Sequence, residues 1–414
     1  MPEIDDGGPP GEPGPAPKPP IGVYVHFPFC LKKCPYCDFV SFARAREEID
    51  HRGYADAVLA ELERRRPALE GKRLSTVFFG GGTPSLWEPA ELGRVLRAIL
   101  AAAPERADEV EVTVECNPTS LDEARARALL SEGVGRLSVG VQGLDATRLA
   151  FLGRLHDPQG GLDAVLSALR AGVPRVSADL IYGVATGPEP PSAAESAAEV
   201  RRVARTGVTH LSAYSLTIEP GTVFGEQARR GRLPIAPDDA VADAFFAVEE
   251  ALEAEGFVHY EISNYARPGE EARHNLGYWR GVDYLGLGCA AFGTLSGSSI
   301  EGSPASGRAV RYRNLIDPAR YVAAAVKGAP LEAEREELDG ETRLRERLML
   351  GLRLLEGVDL DAAGAELGVT PWTPARRRAA DRLVACGRLE VEGGRLRVPP
   401  AARVWADGVA AELF

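Results

Sequence analysis

The chain has 414 residues, 45% hydrophobic and 26% charged, with 60 acidic side chains against 48 basic ones and a formal net charge of −12. That length supports two or three domains, and the acidic balance argues against a face that grips nucleic acid or an anionic membrane. Six cysteines are too sparse for a secreted disulfide scaffold, no run approaches the ~18 apolar residues of a membrane span, and no secretory leader is visible, so a reducing cytoplasm is expected.

Residues 1–20 hold eight prolines, four glycines and four acids, the composition of a disordered tail. From Ile21 short β-rich runs alternate with amphipathic stretches. The runs are Ile21–His26, Thr76–Phe79, Glu109–Glu115, Arg136–Gln142, Arg175–Tyr182 and His210–Leu216. Helical patterns follow them at Tyr54–Arg66, Pro89–Ala102, Leu121–Glu132, Leu162–Ala171, Ala193–Thr206 and Asp238–Glu255. Run-then-helix repeated six times predicts an α/β fold, a partial (β/α)6 barrel of TIM type over 21–256, with its site at the strand C-termini.

Residues 257–308 read as an extension of that barrel, with strands at Tyr260–Tyr265 and Tyr284–Phe292 and a Ser/Gly-rich linker at Ser296–Arg308. Over 309–414 the pattern becomes mostly helical. Arg343–Leu355 sets Leu344, Leu348, Leu352 and Leu355 on one face, Leu360–Leu367 and Pro374–Cys386 follow, and Arg388–Val398 forms a hairpin around Gly393-Gly394. That order outlines a winged helix. Its last 84 residues carry thirteen arginines, no lysine and sixteen acids, which weakens a DNA-binding iron–sulfur sensor as a reading. Arg376-Arg377-Arg378 reads as a solvated helix face.

Chemistry concentrates at the predicted strand ends. Cys30, Cys34 and Cys37 place three thiols on one loop after the first strand. Soft thiolates select zinc or an iron–sulfur cluster. A structural zinc wants four ligands, the nearest fourth is His26 inside the strand, and no second Cys-x2-Cys pair exists. Three thiolates on a [4Fe–4S] cubane leave one iron open for a ligand. Cys116 and Cys386 read as buried thiols and Cys289 as a packing residue.

Cys-x3-Cys-x2-Cys after a first strand resembles the signature of the radical S-adenosylmethionine (SAM) superfamily. Tyr24-Val25-His26-Phe27-Pro28-Phe29-Cys30, Cys34-Pro35-Tyr36-Cys37-Asp38-Phe39, Gly80-Gly81-Gly82-Thr83-Pro84, Glu115-Cys116-Asn117-Pro118, Gly140-Val141-Gln142 and Asp179-Leu180-Ile181-Tyr182-Gly183 resemble the oxygen-independent coproporphyrinogen III oxidase family, in family order, from Ile21 onward. The resemblance implies a [4Fe–4S] cluster on Cys30, Cys34 and Cys37. It implies SAM contacts at Tyr24, Tyr36, Gly81, Gly82, Thr83, Glu115, Gln142, Arg154, Asp179, Ser215 and Phe292, with a second SAM as an open question around Gln142, Arg154 and Asp179.

The oxidase pattern carries a fourth cysteine two residues after the third, where this chain has Phe39. In that respect it resembles the heme-chaperone branch of the family. Arg273-His274-Asn275-Leu276-Gly277-Tyr278-Trp279 resembles the HNxxYW motif of the same branch, which implies haem contacts at His274, Asn275, Tyr278 and Trp279. Imidazole is a good axial ligand for haem iron, and Tyr and Trp offer flat rings to a porphyrin. The implied function is haem binding and transfer to acceptor proteins, respiratory membrane enzymes among them. No dedicated oxidase activity and no assigned catalytic residue accompany it, and the chain is expected as a monomer or a cluster-dependent dimer. Radical SAM decarboxylation of coproporphyrinogen III is the alternative.

Overall fold

The computed structural model describes residues 18–187, 192–297 and 307–414. Residues 1–17 of the predicted tail and 298–306 of the predicted linker lie outside them. Six strands alternate with helices as expected: β1 (Pro20–Phe27), β2 (Arg73–Gly81), β3 (Glu105–Cys116), β4 (Arg136–Gln142), β5 (Arg175–Tyr182) and β6 (His210–Ser215). They pair in parallel in chain order. β2 and β3 run several residues longer than their apolar cores, because parallel pairing through Arg73 and Glu105 continues past the hydrophobic pattern.

Alternation along these strands divides the sheet into two faces. Val23, Val25, Phe27, Val77, Phe79, Val112, Val114, Leu137, Val139, Val176, Ala178 and Leu211 are buried in the main apolar core. The intervening residues, among them Tyr24, Thr113, Glu115, Ser138, Asp179 and Ser212, line a single cavity of about 1120 Å³. Residues from all six strands reach it, so the sheet curves around its polar face as a partial barrel.

The sheet continues beyond the six strands. The candidate strand Tyr260–Tyr265 is two, β7 (Val258–Glu261) and β8 (Asn264–Ala266), turned back on one another and added antiparallel beside β6. Tyr284–Phe292 also divides, into β9 (Asp283–Leu287), parallel to β1, and β10 (Phe292–Ser296). The turn between them passes through Gly288 at φ +96 and Ala290 at φ +60. β11 (Ala309–Asn314) and β12 (Glu332–Leu338) complete a twelve-stranded sheet. The stretch expected to open the helical unit at 309 instead gives the sheet its last two strands, Ala309–Asn314 and Glu332–Leu338, joined by the helix Pro318–Lys327.

The helical unit starts at Gly340 and has its own core around Leu344, Leu348, Leu360, Leu383 and Leu396. Helices Gly340–Gly351, Leu360–Leu367 and Pro374–Ala385 and a small sheet of Val358–Asp359, Arg395–Arg397 and Glu390–Glu392 give the winged-helix outline. Leu355 falls outside the first helix, which ends at Gly351. Arg376 is not part of a solvated face. It is 1% exposed, and its guanidinium donates to Glu341 and to the carbonyls of Leu413 and Pro371, tying the helix to the C-terminus. Cys386 is likewise exposed rather than buried, while Cys116 and Cys289 are buried as expected. Among the described residues no helix is long and apolar enough to cross a membrane.

Candidate functional site

The loop bearing the three cysteines leaves the C-terminal end of β1. Its backbone is pinned at several points: Phe29–Cys30 pairs with Phe42–Ala43, the Cys37 amide donates to the Cys34 carbonyl, and the Phe224 amide donates to the Pro35 carbonyl. His26 adds a side-chain clamp. Its Nε2 lies 2.8 Å from the Val40 carbonyl, which can only accept, so Nε2 carries the proton and Nδ1 accepts from the Tyr24 hydroxyl at 2.9 Å. Burial lowers the His26 pKa to about 4, which keeps the ring neutral. With both nitrogens engaged, His26 holds the loop and is not a fourth ligand.

The glycine turn after β2 closes against this loop. The Gly82 amide donates to Phe27 O at 2.8 Å and the Thr83 amide to Phe29 O at 2.9 Å. Gly81 sits at φ +108, where a Cβ would stand 2.4 Å from the His26 ring, so both backbone and space demand glycine. Thr83 Oγ1 reaches Cys30 Sγ at 3.3 Å, and Arg154 Nη1 reaches Cys34 Sγ at 3.6 Å.

All three thiols are half-buried and face the cavity. Burial raises Cys30, and it pushes Cys37 up to about 11, so these two are neutral thiols at pH 7 until a metal displaces their protons. Among the described residues no group of three or more His, Cys, Asp or Glu is set to hold one metal ion. Three separate thiols beside an open cavity suit a cubane, whose thiolates sit on different irons.

Beneath the thiols lies a pair of carboxylates. Glu115, at the end of β3, accepts from the Gly81 amide at 3.0 Å. Burial, then the nearby Asp179, holds its carboxyl up to about 8. Burial raises Asp179 to about 6 against the opposing hydrogen bonds of Ser212 and Ser138, whose hydroxyl lies 3.1 Å away. Arg154 stands above them, giving Nη2 to the Gly140 carbonyl while its buried Nε has no partner. Gln142 ends β4 at φ +66, a left-handed backbone costly for a residue with a side chain and most often kept where function needs it. Two buried carboxylates without a full counter-charge favour a cationic ligand, and SAM brings a sulfonium and an ammonium.

Ten of the eleven predicted SAM residues line this cavity with the cysteines. Phe292 does not: it begins β10, is 40% exposed, and packs its ring under the Arg313 guanidinium at 4.9 Å. The predicted haem motif forms a short helix, Arg273–Trp279, at the opposite end of the barrel, against the strand starts. Asn275 and Tyr278 line the cavity there. His274 and Trp279 do not. His274 is 4% exposed, with Nδ1 2.7 Å from Thr76 Oγ1 and Nε2 3.0 Å from the Tyr278 hydroxyl. Trp279 turns toward the C-terminal unit, under the Arg353 guanidinium at 4.9 Å. The four motif residues are thus not one ligand surface. A helix with this spacing sends positions i and i+4 along one side, and here that side carries the His274–Tyr278 hydrogen bond.

Sequence reasoning placed Tyr214 near the end of the sixth strand, where it lines the cavity, and missed His210, Ser138 and Ser212 on the cavity wall, and Arg353, Arg403 and Trp405, with which the C-terminal unit covers one side. His210, Ser138 and Ser212 carried a signal: each is a polar residue at an inward position of an otherwise apolar strand. The last three carried none, since only tertiary docking brings them over the barrel.

Residues 24–208 match the family model of the radical SAM superfamily, and residues 338–405 match that of the HemN C-terminal domain. The chain is 35% identical over 409 residues to the heme chaperone HemW of Mycobacterium tuberculosis, covering 97% of each chain. It is 36% identical to the heme chaperone HemW of Escherichia coli, covering 82% of this chain and 84% of the other. Among solved structures it is similar to coproporphyrinogen III oxidase (HemN) from Escherichia coli, described as a radical SAM enzyme, with a TM-score of 0.76 at 20% identity over 96% of this chain and 90% of that one.

Proposed function

The chain belongs to the family of the heme chaperone HemW, within the radical SAM superfamily, and from that premise we propose that it binds haem and passes it to haem-accepting proteins. The observation that carries this reading is the likeness to HemW relatives along almost the whole chain, joined to Phe39 where an oxidase would have its fourth cysteine.

In this reading Cys30, Cys34 and Cys37 would hold a [4Fe–4S] cluster, which would bind SAM and supply electron delivery. Glu115 and Asp179 attract the cationic end of SAM. The backbone of Gly81–Thr83 approaches it closely, Tyr24 and Tyr36 flank it, and Gln142, Arg154 and Ser215 complete its surroundings. The buried pair sets a pH dependence. Glu115 and Asp179 are negative only above about 8 and about 6, so attraction for a cation strengthens as pH rises across that interval. The chain works in the cytoplasm as a monomer or a cluster-dependent dimer and delivers haem to acceptors that include respiratory membrane enzymes.

Anaerobic reconstitution with iron and sulfide, followed by parallel assays, tests this. Haem titration followed at the Soret band is expected to reach one haem per chain. The same preparation, given SAM, a reductant and coproporphyrinogen III, is expected to form no protoporphyrinogen. Turnover without stoichiometric haem binding would replace the chaperone with an oxidase.

A further inference from the structure

The lower half of the cavity has a composition unlike the upper. Its floor is the Arg273–Trp279 helix, which presents Asn275 and Tyr278 inward. Phe78 on β2 stands beside it, half-buried between Tyr24 and His274. Half-covered aromatic rings inside a protein are apolar surface without a partner, and a planar macrocycle covers several at once. The Asn275 side-chain amide lines the cavity beside the rings, and among the described residues no hydrogen bond engages it.

His274 stands behind this surface. Its ring stacks on Phe78 with centroids 4.9 Å apart and meets Tyr278 edge-on at 4.9 Å. The hydroxyls of Thr76 and Tyr278 occupy its two nitrogens, and its amide donates to Glu111 at 3.1 Å. Gly22 of β1 leaves it room, since a Cβ there would lie 3.2 Å from the imidazole. Thr76 precedes the Gly81 turn by five residues, which at about 3.3 Å per strand residue puts the imidazole roughly 16 Å below the cysteine end. An imidazole that is off the cavity wall and has no free nitrogen is placed to orient Tyr278, not to ligate iron.

We infer that haem binds on this floor, against Tyr278, Asn275 and Phe78, and that His274 is a positioning residue behind it rather than the iron ligand. The inference rests on the chaperone reading and adds a location and a division of labour within the motif. Tyr278 and Asn275 meet the macrocycle. His274 fixes the direction of the phenol through Nε2, and Thr76 fixes the imidazole through Nδ1.

The test uses the full chain loaded with ferric haem, compared by Soret position, spin state and affinity. His274→Gln is expected to keep the wild-type Soret position and spin state, with affinity reduced by a few-fold. Tyr278→Ala and Phe78→Ala, which remove ring surface, are each expected to weaken binding roughly tenfold or more. Combining His274→Gln with Tyr278→Ala is expected to cost little more than Tyr278→Ala alone, because the histidine acts through the tyrosine. Loss of the axial-ligand signature in His274→Gln, with recovery on adding free imidazole, would overturn the inference. So would unchanged affinity in both ring variants, which stand as an independent arm should His274→Gln fail to fold. If the wild-type chain takes up no haem at all, the chaperone reading falls and this inference falls with it.

Discussion

The two ends of the cavity differ in what they leave unpaired. At the strand ends the walls carry three thiols, two carboxylates with raised pKa values and an arginine nitrogen without a partner. At the strand starts the His274 imidazole is fully hydrogen-bonded, and the rings of Phe78 and Tyr278 face the cavity beside the Asn275 amide and His210, whose buried Nδ1 has no partner. Charge and soft donors await a ligand at one end, and flat apolar area awaits one at the other. The difference teaches that one cavity can serve two ligands whose recognition physics hardly overlap.

The largest expected effect separates the ends outright. Replacing Cys30, Cys34 and Cys37 together by serine should abolish bound iron after reconstitution, by iron and sulfide analysis, while the floor keeps its haem affinity within about twofold. Equal loss at both ends would mean that they are one site. Next, Glu115→Gln should lower SAM affinity by roughly tenfold or more, measured by calorimetry on the clustered protein, since a charge-assisted contact becomes a neutral one.

Gly81→Ala tests the support between them. The added methyl meets the His26 ring at a backbone angle that disfavours it, so unfolding free energy should fall by about 1–3 kcal/mol. Cluster retention should fall with it, because His26 clamps the loop through Val40. A stability loss with intact cluster retention would show that the clamp is dispensable.

The pH response is smaller and has a definite sign. An unfolded glutamate titrates near ~4.3 and an aspartate near ~3.9, whereas the folded pair holds its protons to about 8 and about 6. The folded ligand-free chain therefore binds more protons, and this contribution to stability is fully present below ~4, is lost as pH rises from there through about 6 and about 8, and falls most steeply below about 6, where both groups contribute. The melting temperature of ligand-free protein should drift down over that interval, and Glu115→Gln should flatten the drift. An upward drift would mean that the pair is compensated by a cation. Last, Phe39→Cys should leave stability within about 0.5 kcal/mol of the parent, because Phe39 is 56% exposed. It should also confer no coproporphyrinogen turnover, and turnover from that one substitution would make Phe39 the switch between branches.

The six-strand array was legible because each strand pairs an apolar outward set with a polar inward set, and helical periodicity follows each one. The cysteine end was legible for a related reason, since strand C-termini gather their loops in a predictable place. The floor was less so. Nothing in the order His274, Asn275, Tyr278, Trp279 reveals that the first and last face away from the cavity, because that depends on which side of a two-turn helix the strand starts receive. Phe292 was misplaced for a similar reason: β10 returns antiparallel at the sheet's margin, and only pairing with Arg313 of β11 fixes where its ring lies. The edges at β11 and β12 went unseen because β12 is nearly all exposed and acidic, without the apolar alternation that marks a strand.

The division of the sheet into an outer apolar face and an inner polar one has a consequence for unloading. The cohesion of the molecule resides outside the ring of strands, in the layer where Val77, Phe79, Val114 and Val139 meet the helices. Departure of a large flat passenger from the interior removes none of that layer. A vessel whose strength lies in its hull can be emptied and refilled repeatedly without being rebuilt.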